Sequence, residues 1–97
     1  MAGAPTLRHV ADAAGGEFVL EQDGRRVGEL SYTLGGGRMV IRHTGVDVPL
    51  RGGGAARRLL DAAVAHARER NIKIVPRCSY AEVVLGRSAE FADVLER

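Results

Sequence analysis

The sequence predicts an α/β domain of the α+β kind: a mostly antiparallel sheet of about four strands, one further parallel strand, one long helix after the central strand, and short C-terminal helices. Three observations predict it. Apolar and polar residues alternate through the first half of the chain, punctuated by Gly-Gly and Asp-Gly, which is the pattern of hairpin-connected strands. From residue 54 the apolar period changes to that of a helix. A short apolar run, Ile72-Lys73-Ile74-Val75, then follows, and a strand reached through a crossover helix runs parallel to the strand before it.

Taken in order, residues 1–5 are small and unpatterned and are expected to fray. Residues 7–11 predict a first strand and Gly15-Gly16 a turn. The pattern resumes at residues 18–22, with Phe18 and Leu20 on one face, and Asp23-Gly24 is a hairpin signal. Residues 26–34 place Leu30, Tyr32 and Leu34 on one side and Glu29, Ser31 and Thr33 on the other. Gly35-Gly36-Gly37 is read as a hairpin tip, because no helix follows to supply a dipole for a ligand. Residues 38–48 form the longest predicted strand, with Val40, Val46 and Val48 on one face and Met39 and Ile41 on the other. Apolar residues on both faces mark a central strand, and Pro49, lacking an N–H, ends its pairing. Residues 54–70 read as an amphipathic helix built on Ala56, Leu59, Leu60, Ala63, Val64 and Ala67, with Asn71 at its C-terminal cap. After the strand at 72–75, residues 79–85 and 89–95 predict two short helices.

Length and composition narrow the function. A chain of 97 residues supports one modest core, so residues 1–97 are read as a single domain. With only Phe18, Tyr32, Tyr80 and Phe91 as aromatics and a net charge of +2 from dispersed arginines, neither a stacking platform nor a basic stripe for nucleic acid is present in the sequence. One cysteine cannot form an internal disulfide, no signal-peptide core precedes residue 9, and no apolar run is long enough to span a bilayer. The expected location is the cytoplasm, with no membrane partner. Cys78 and the histidines show no zinc-ligand spacing, so no metal is expected.

The stretch from His43 to Ala56 organises the rest. A strand enters a glycine turn and then a long helix, which gathers backbone N–H groups where the helix dipole is most positive. The mononucleotide P-loop is excluded because Ala55 and Ala56, instead of Lys and a hydroxyl residue, follow Gly54; the glycine spacing of the dinucleotide fingerprint is absent as well. What remains is Arg-x-x-Gly-x-Ala, carried by Arg51, Gly54 and Ala56. Sterics alone would ask for one glycine in such a turn, whereas three behind an arginine also let a ligand approach the backbone. A clamp of the KH type for RNA lies between helices and fits poorly here.

This pattern resembles the pyrophosphate loop of the GNAT acetyltransferases, Gln/Arg-x-x-Gly-x-Gly/Ala. With His43-Thr44-x-Val46 upstream and Val75-Pro76-Arg77-Cys78-Ser79-Tyr80 downstream, the chain from about Phe18 to Leu95 is similar to the miniature single-domain GNAT-like proteins, whose strand after the long helix ends in Pro-x-Cys-x-Tyr. The resemblance implies a GNAT-like minimal fold and acetyl-coenzyme A as co-substrate. It implies that backbone groups around Val46, Asp47 and Val48 hold the pantetheine arm, while Arg51, Gly52, Gly53, Gly54, Ala55 and Ala56 hold the pyrophosphate with charge added by Arg57. Arg58 is a second candidate, although solvated arginines on a helix face explain both simply.

Cys78 aligns with the cysteine of the family motif, placed close to the coenzyme A sulfur; it could accept the acyl group or protonate the leaving thiolate, or be a small apolar residue without a role. His43 is the expected general base, because imidazole titrates near neutrality; the alternative is a surface histidine. Asp47 and Glu29 are other bases, and each reads equally as a solvated strand carboxylate. Tyr80 could protonate the leaving thiolate, as a tyrosine does in larger members, or serve as a lid on the core. The expected activity is therefore transfer of an acetyl group to an amine of an unidentified acceptor, which could be a protein, since Asp23-Gly24 leaves no room for the helices that wall the acceptor pocket in larger members. The alternative is a coenzyme A or acyl-coenzyme A binding module without turnover, acting as a sensor or interaction protein.

Overall fold

The computed structural model describes residues 4–96; residues 1–3, expected to fray, lie outside the described residues. The chain forms one five-stranded sheet in sequence order. Strands β1 (Thr6–Asp12), β2 (Gly15–Gln22), β3 (Arg25–Gly35) and β4 (Arg38–Val46) are successive antiparallel neighbours. Helix α1 (Ala55–Arg70) crosses back to β5 (Lys73–Pro76), which pairs parallel with β4, and α2 (Ser79–Arg87) follows. The antiparallel sheet with one parallel strand and one long helix is thus as the pattern predicts.

One face of the sheet is dry. Phe18, Leu20, Leu30, Tyr32, Met39, Ile41 and Ile74 pack against Leu59, Leu60, Ala63, Val64 and Ala67 of α1 and against Ala81, Leu85 and Phe91 beyond it. Asn71 caps α1 in the left-handed conformation (φ 56°), its N–H donating to the Ala67 and Arg68 carbonyls. The other face carries charge. Val19 is wholly buried there between its register partners Arg8 and Glu29, flanked by the Arg8–Glu21 (3.2 Å) and Arg26–Glu17 (3.3 Å) ion pairs. Exposed pairs of this kind add little stability, but their aliphatic stems cover apolar surface. Among the described residues, no helix is long and apolar enough to cross a membrane.

Four details depart from the sequence pattern. Gly15-Gly16 does not turn the chain; Ala13-Ala14 does, and both glycines lie in β2. A Cβ on Gly15, at φ 151°, would come within 2.3 Å of the Tyr32 carbonyl oxygen, so that glycine serves close strand approach. Second, β4 stops at Val46, and Val48 belongs to a 3-10 turn over Val48–Leu50. Third, Arg42 is an extra residue: Ser31 pairs with His43 but Tyr32 with Ile41. This bulge inverts the alternation, so Val46 joins Met39 and Ile41 on the dry side, opposite Val40. Fourth, the predicted second C-terminal helix is only a 3-10 turn over Ala89–Phe91. Beyond it the chain lies along β5, with Ile74 N–H donating to the Val94 carbonyl (2.6 Å) and Glu96 N–H to the Ile74 carbonyl (2.9 Å), and so covers an otherwise open sheet edge.

The edge strand β1 is tied to α1 by rings. His9 stacks on Phe18 (centroids 4.1 Å apart), its Nε2 lies 2.5 Å from the Tyr32 hydroxyl, and His66 of α1 meets it edge-on at 4.7 Å. Burial first, and then the neighbouring His66 and Arg70 charges, lower the pKa of His9 below its ordinary 6.5; burial and Arg70 do the same to His66. The unfolded chain therefore binds protons at these positions before the folded chain does. Their contribution to stability is present above about pH 6.5 and is lost as the pH falls through the lowered folded values. His66→Gln is expected to flatten the decline in urea midpoint between about pH 7 and pH 5. Gly15→Ala is expected to cost about 1–3 kcal/mol in the same unfolding assay, because backbone on both strands must shift to admit the methyl group.

Candidate functional site

The site begins where the β4–β5 ladder ends. Its register pairs run from Arg38–Lys73 to Ile41–Pro76, and the last bond is donated by the Arg77 N–H to the Ile41 carbonyl (2.9 Å). The Arg42 bulge bends β4, and Cys78 turns the second chain into α2. From Arg42 to Val46, β4 consequently has no strand neighbour on this side. Because Asp47 N–H donates to the Val27 carbonyl of β3 (2.9 Å), alternation directs the peptide groups of Thr44 and Val46 into the split. The Val46 carbonyl accepts from Arg51 Nε there at 3.2 Å. Asp47 instead turns its carboxylate to Arg25 (2.9 Å), and the carbonyl of Val48, outside the strand, accepts the Arg51 N–H. Of the three residues 46–48, then, Val46 alone presents backbone to the split, and Thr44 joins it.

Cys78 closes the dry side of the split. It is the N-cap of α2, its Sγ accepting the Ala81 N–H at 3.4 Å and lying 3.5 Å from Thr44 Oγ1 across the opening. Thr44 stands in the His43-Thr44-x-Val46 motif, but its contact with Cys78 depends on the bulge, which sequence spacing does not reveal. Tyr80, half-buried in the first turn of α2, lines a cavity of about 260 Å³ with Val46, Leu50, Arg57 and the glycine loop. Burial pushes the Tyr80 phenol above its ordinary 10, so at neutral pH it carries its proton.

His43 stands on the other face. Its register partner is Ser31, whereas Thr44 pairs with the buried Leu30, so the bulge separates His43 from Cys78. Its imidazole Nε2 is 3.9 Å from Glu29 Oε2, and both would crowd a side chain at Gly45, where a Cβ would lie 2.9 Å from the imidazole and 2.8 Å from the carboxylate. Glu29, His43 and the bare backbone of Gly45 thus form the charged-face wall of the split. Cys78, Thr44 and Tyr80 belong to its dry side.

The loop from Arg51 to Ala56 leaves the backbone N–H groups of the first turn of α1 without a capping side chain. Gly54, in the left-handed conformation (φ 87°), is the N-cap of α1 and has no side chain with which to cap the first turn. Nothing lies within 4 Å of a Cβ built at Gly52 or Gly54, so the backbone is open to approach. No acidic residue occupies the first turn, which instead carries Arg57 and Arg58 against the positive end of the dipole. Arg57 is engaged by Asp61 (2.8 Å) and Glu90 (3.2 Å) and lies over the Phe91 ring, and Arg58 donates to the Pro5 carbonyl. A second cavity of about 320 Å³ lies on the flank of the loop formed by Pro5, Leu20, Pro49 and Arg58, without Cys78 or Tyr80. Among the described residues no group of three or more His, Cys, Asp or Glu could hold a metal; His9 and His66 meet as a pair alone.

A central sheet that splits between two parallel strands, with a glycine loop entering a helix beside the split, defines a GNAT-type fold. The family model for GCN5-related N-acetyl-transferases matches residues 17–94, and the chain belongs to that family. The chain is similar to a proposed GCN5-like N-acetyltransferase from Staphylococcus aureus at 30% identity and a TM-score of 0.74, covering 94% of this chain and 87% of that one. A ribosomal-protein-alanine N-acetyltransferase from Brucella melitensis is similar at 25% identity and a TM-score of 0.65, over 80% of this chain and 63% of its own. An IAA acetyltransferase from Bacillus cereus, at 22% identity and a TM-score of 0.60, shares the fold over 73% of this chain, which spans 51% of that protein. Comparison with curated proteins gives no match.

Cys78 has a structural role separable from chemistry. Cys78→Ala removes the cap of α2 and is expected to cost about 0.5–2 kcal/mol, whereas Cys78→Ser keeps an acceptor at the same place and is expected to retain wild-type stability; urea unfolding of the two variants checks this.

Proposed function

We propose that this chain, read as one GNAT-like domain over residues 1–97, is an acetyl-coenzyme A-dependent N-acetyltransferase acting on an amine of a large acceptor. The observation that carries the reading is the split itself: free strand edge at Thr44 and Val46, a thiol and a protonated phenol on one side, an imidazole and a carboxylate on the other, and an uncapped helix N-terminus at its end. The loop from Arg51 to Ala56 would take the pyrophosphate on the N–H groups of the first turn, with the exposed Arg51 side chain exchanging the Val46 carbonyl for phosphate. The peptide groups of Thr44 and Val46 would take the pantetheine amides as a strand takes a neighbour. Acetyl-coenzyme A supplies an activated acyl carbon in a thioester.

The chain's own residues then divide the proton work. His43, oriented by Glu29, takes the proton from the attacking amine on the charged face. In direct transfer Tyr80 gives a proton to the departing thiolate on the dry face; in a two-step route the Cys78 thiol takes the acyl group as a thioester, its proton passing to the coenzyme A thiolate, and then yields the acyl group to the amine. The short Ala13-Ala14 and Asp23-Gly24 connections leave the charged face without a wall that would enclose a small acceptor, which favours a polypeptide. The similarity to an enzyme named for a ribosomal-protein alanine supports the same choice. The single free cysteine supports a reducing, cytoplasmic setting. The separation of His43 from Cys78 by the bulge favours, as a second reading, a coenzyme A binding module without turnover.

Titration with acetyl-coenzyme A, followed by calorimetry and by intact mass, tests both readings. Binding is expected in wild type, Cys78→Ser and His43→Ala, and loss of at least tenfold in affinity in Gly54→Val, where a side chain invades the cradle at a left-handed position. A gain of one acetyl group in wild type, absent in Cys78→Ser, identifies the thiol as acyl acceptor. Acetylation of an amine by wild type and its loss in His43→Ala separates the enzyme from the binding module, and no binding at all would sink both.

A further inference from the structure

Among the described residues the arginines are accounted for one by one, with two exceptions at neighbouring backbone positions. Arg8, Arg25, Arg26, Arg38, Arg57 and Arg68 each have a carboxylate partner, and Arg51 and Arg58 donate to backbone carbonyls. Arg70 and Arg87 lie in the last turns of α1 and α2, where the dipole favours a cation. Arg42 and Arg77 have no such explanation: both are exposed, and among the described residues neither has an ion pair or a side-chain hydrogen bond.

Their positions coincide with the mouth of the split. Arg42 is the bulge residue after Ile41, and Arg77 follows Pro76, the register partner of Ile41, with its N–H on the Ile41 carbonyl. The extended chain that turns Ile74 inward and Cys78 toward Thr44 turns Arg77 to the opposite, charged face, the face of His43. Arg42 and Arg77 thus each follow a member of the last register pair, and two cations on such neighbouring backbone positions are kept at small cost only in solvent. The carboxylates on this face do not offset them: Glu17 and Glu21 are engaged by Arg26 and Arg8, and Glu29 faces His43, three residues along β3 from Tyr32, the residue opposite Ile41.

From this juxtaposition we infer that the acceptor is a polypeptide carrying acidic residues beside the reactive amine, with Arg42 and Arg77 binding the carboxylates while the amine faces His43 and Glu29. The inference rests on the acetyltransferase reading above. It adds the identity of the acceptor's flanking residues, and it makes Arg42 and Arg77 specificity determinants. They touch the acceptor away from the reacting atoms. An open, unwalled face selects its partner by charge and is sensitive to salt.

The test uses two fluorescent twelve-residue peptides with one central lysine, identical except that the residues flanking it are Asp and Glu in one and Asn and Gln in the other. Anisotropy titrations are made with the full chain saturated with coenzyme A. The acidic peptide is expected to bind roughly five- to tenfold more tightly, with the advantage shrinking as salt rises. Arg42→Gln with Arg77→Gln should abolish the preference, and Arg42→Lys with Arg77→Lys should restore part of it. Equal affinity for the two peptides, no binding of either at millimolar concentration, or an undiminished preference in the glutamine variant overturns the inference. Calorimetry of coenzyme A on the same samples reports on the underlying reading separately: unchanged coenzyme A binding beside equal peptide affinities would defeat the acceptor assignment alone, and absent coenzyme A binding would defeat the acetyltransferase reading with it.

Discussion

The rest of the site depends on the shortness of the parallel ladder between β4 and β5. Four register pairs are formed, the Arg77 N–H adds a last bond to Ile41, and then pairing stops, because Arg42, as an extra residue, bends β4 away and Cys78 turns the other chain into α2. A longer ladder would satisfy the peptide groups of Thr44 and Val46 with protein. Stopping it leaves them without a strand partner, and the chain that would have extended β5 instead starts α2 with Cys78 as its cap. The opening, the thiol and the helix that carries Tyr80 thus arise from one interruption.

A second constraint is electrostatic. The N-terminus of α1 is left without a capping side chain or an acidic residue and carries two arginines, a combination that helix energetics disfavours in the free protein. Asp61 and Glu90 hold one of the two, and the Pro5 carbonyl accepts from the other, which limits the cost without filling the loop. Stability is therefore drawn from elsewhere: from the five buried residues on one stripe of α1 and from the single dry face they cover. The pairing of a dry face with a charged one also sets the two sides of the proposed chemistry, since the bulge at Arg42 decides that Thr44 faces Cys78 while His43 faces Glu29.

Much of this was legible in the sequence, for reasons that are local. Period-2 alternation, Asp23-Gly24 and the glycine tip at residues 35–37 fixed the hairpins, the 3.6-residue stripe fixed α1 and its cap Asn71, and the crossover rule fixed the parallel strand. The Arg51-to-Ala56 loop and the Pro-x-Cys-x-Tyr run were visible as motifs, because their geometry is written in adjacent residues. The role of Gly15-Gly16 was not, since it is defined by the Tyr32 carbonyl and by Val10 on neighbouring strands.

By itself, then, the sequence determined the fold class, the element order and the glycine loop before α1, all set by propensity and periodicity within a few residues. Only the tertiary structure decided which face each side chain takes beyond Ile41. One unpaired residue at Arg42 reverses the alternation, and a bulge is specified by the partner strand's register, which no single strand's pattern contains. For the same reason the Thr44–Cys78 contact, the separation of His43 from that thiol, and the meeting of Arg42 with Arg77 at one mouth belong to the structure: each joins residues more than thirty positions apart or divides neighbours, and is fixed by pairing across the sheet.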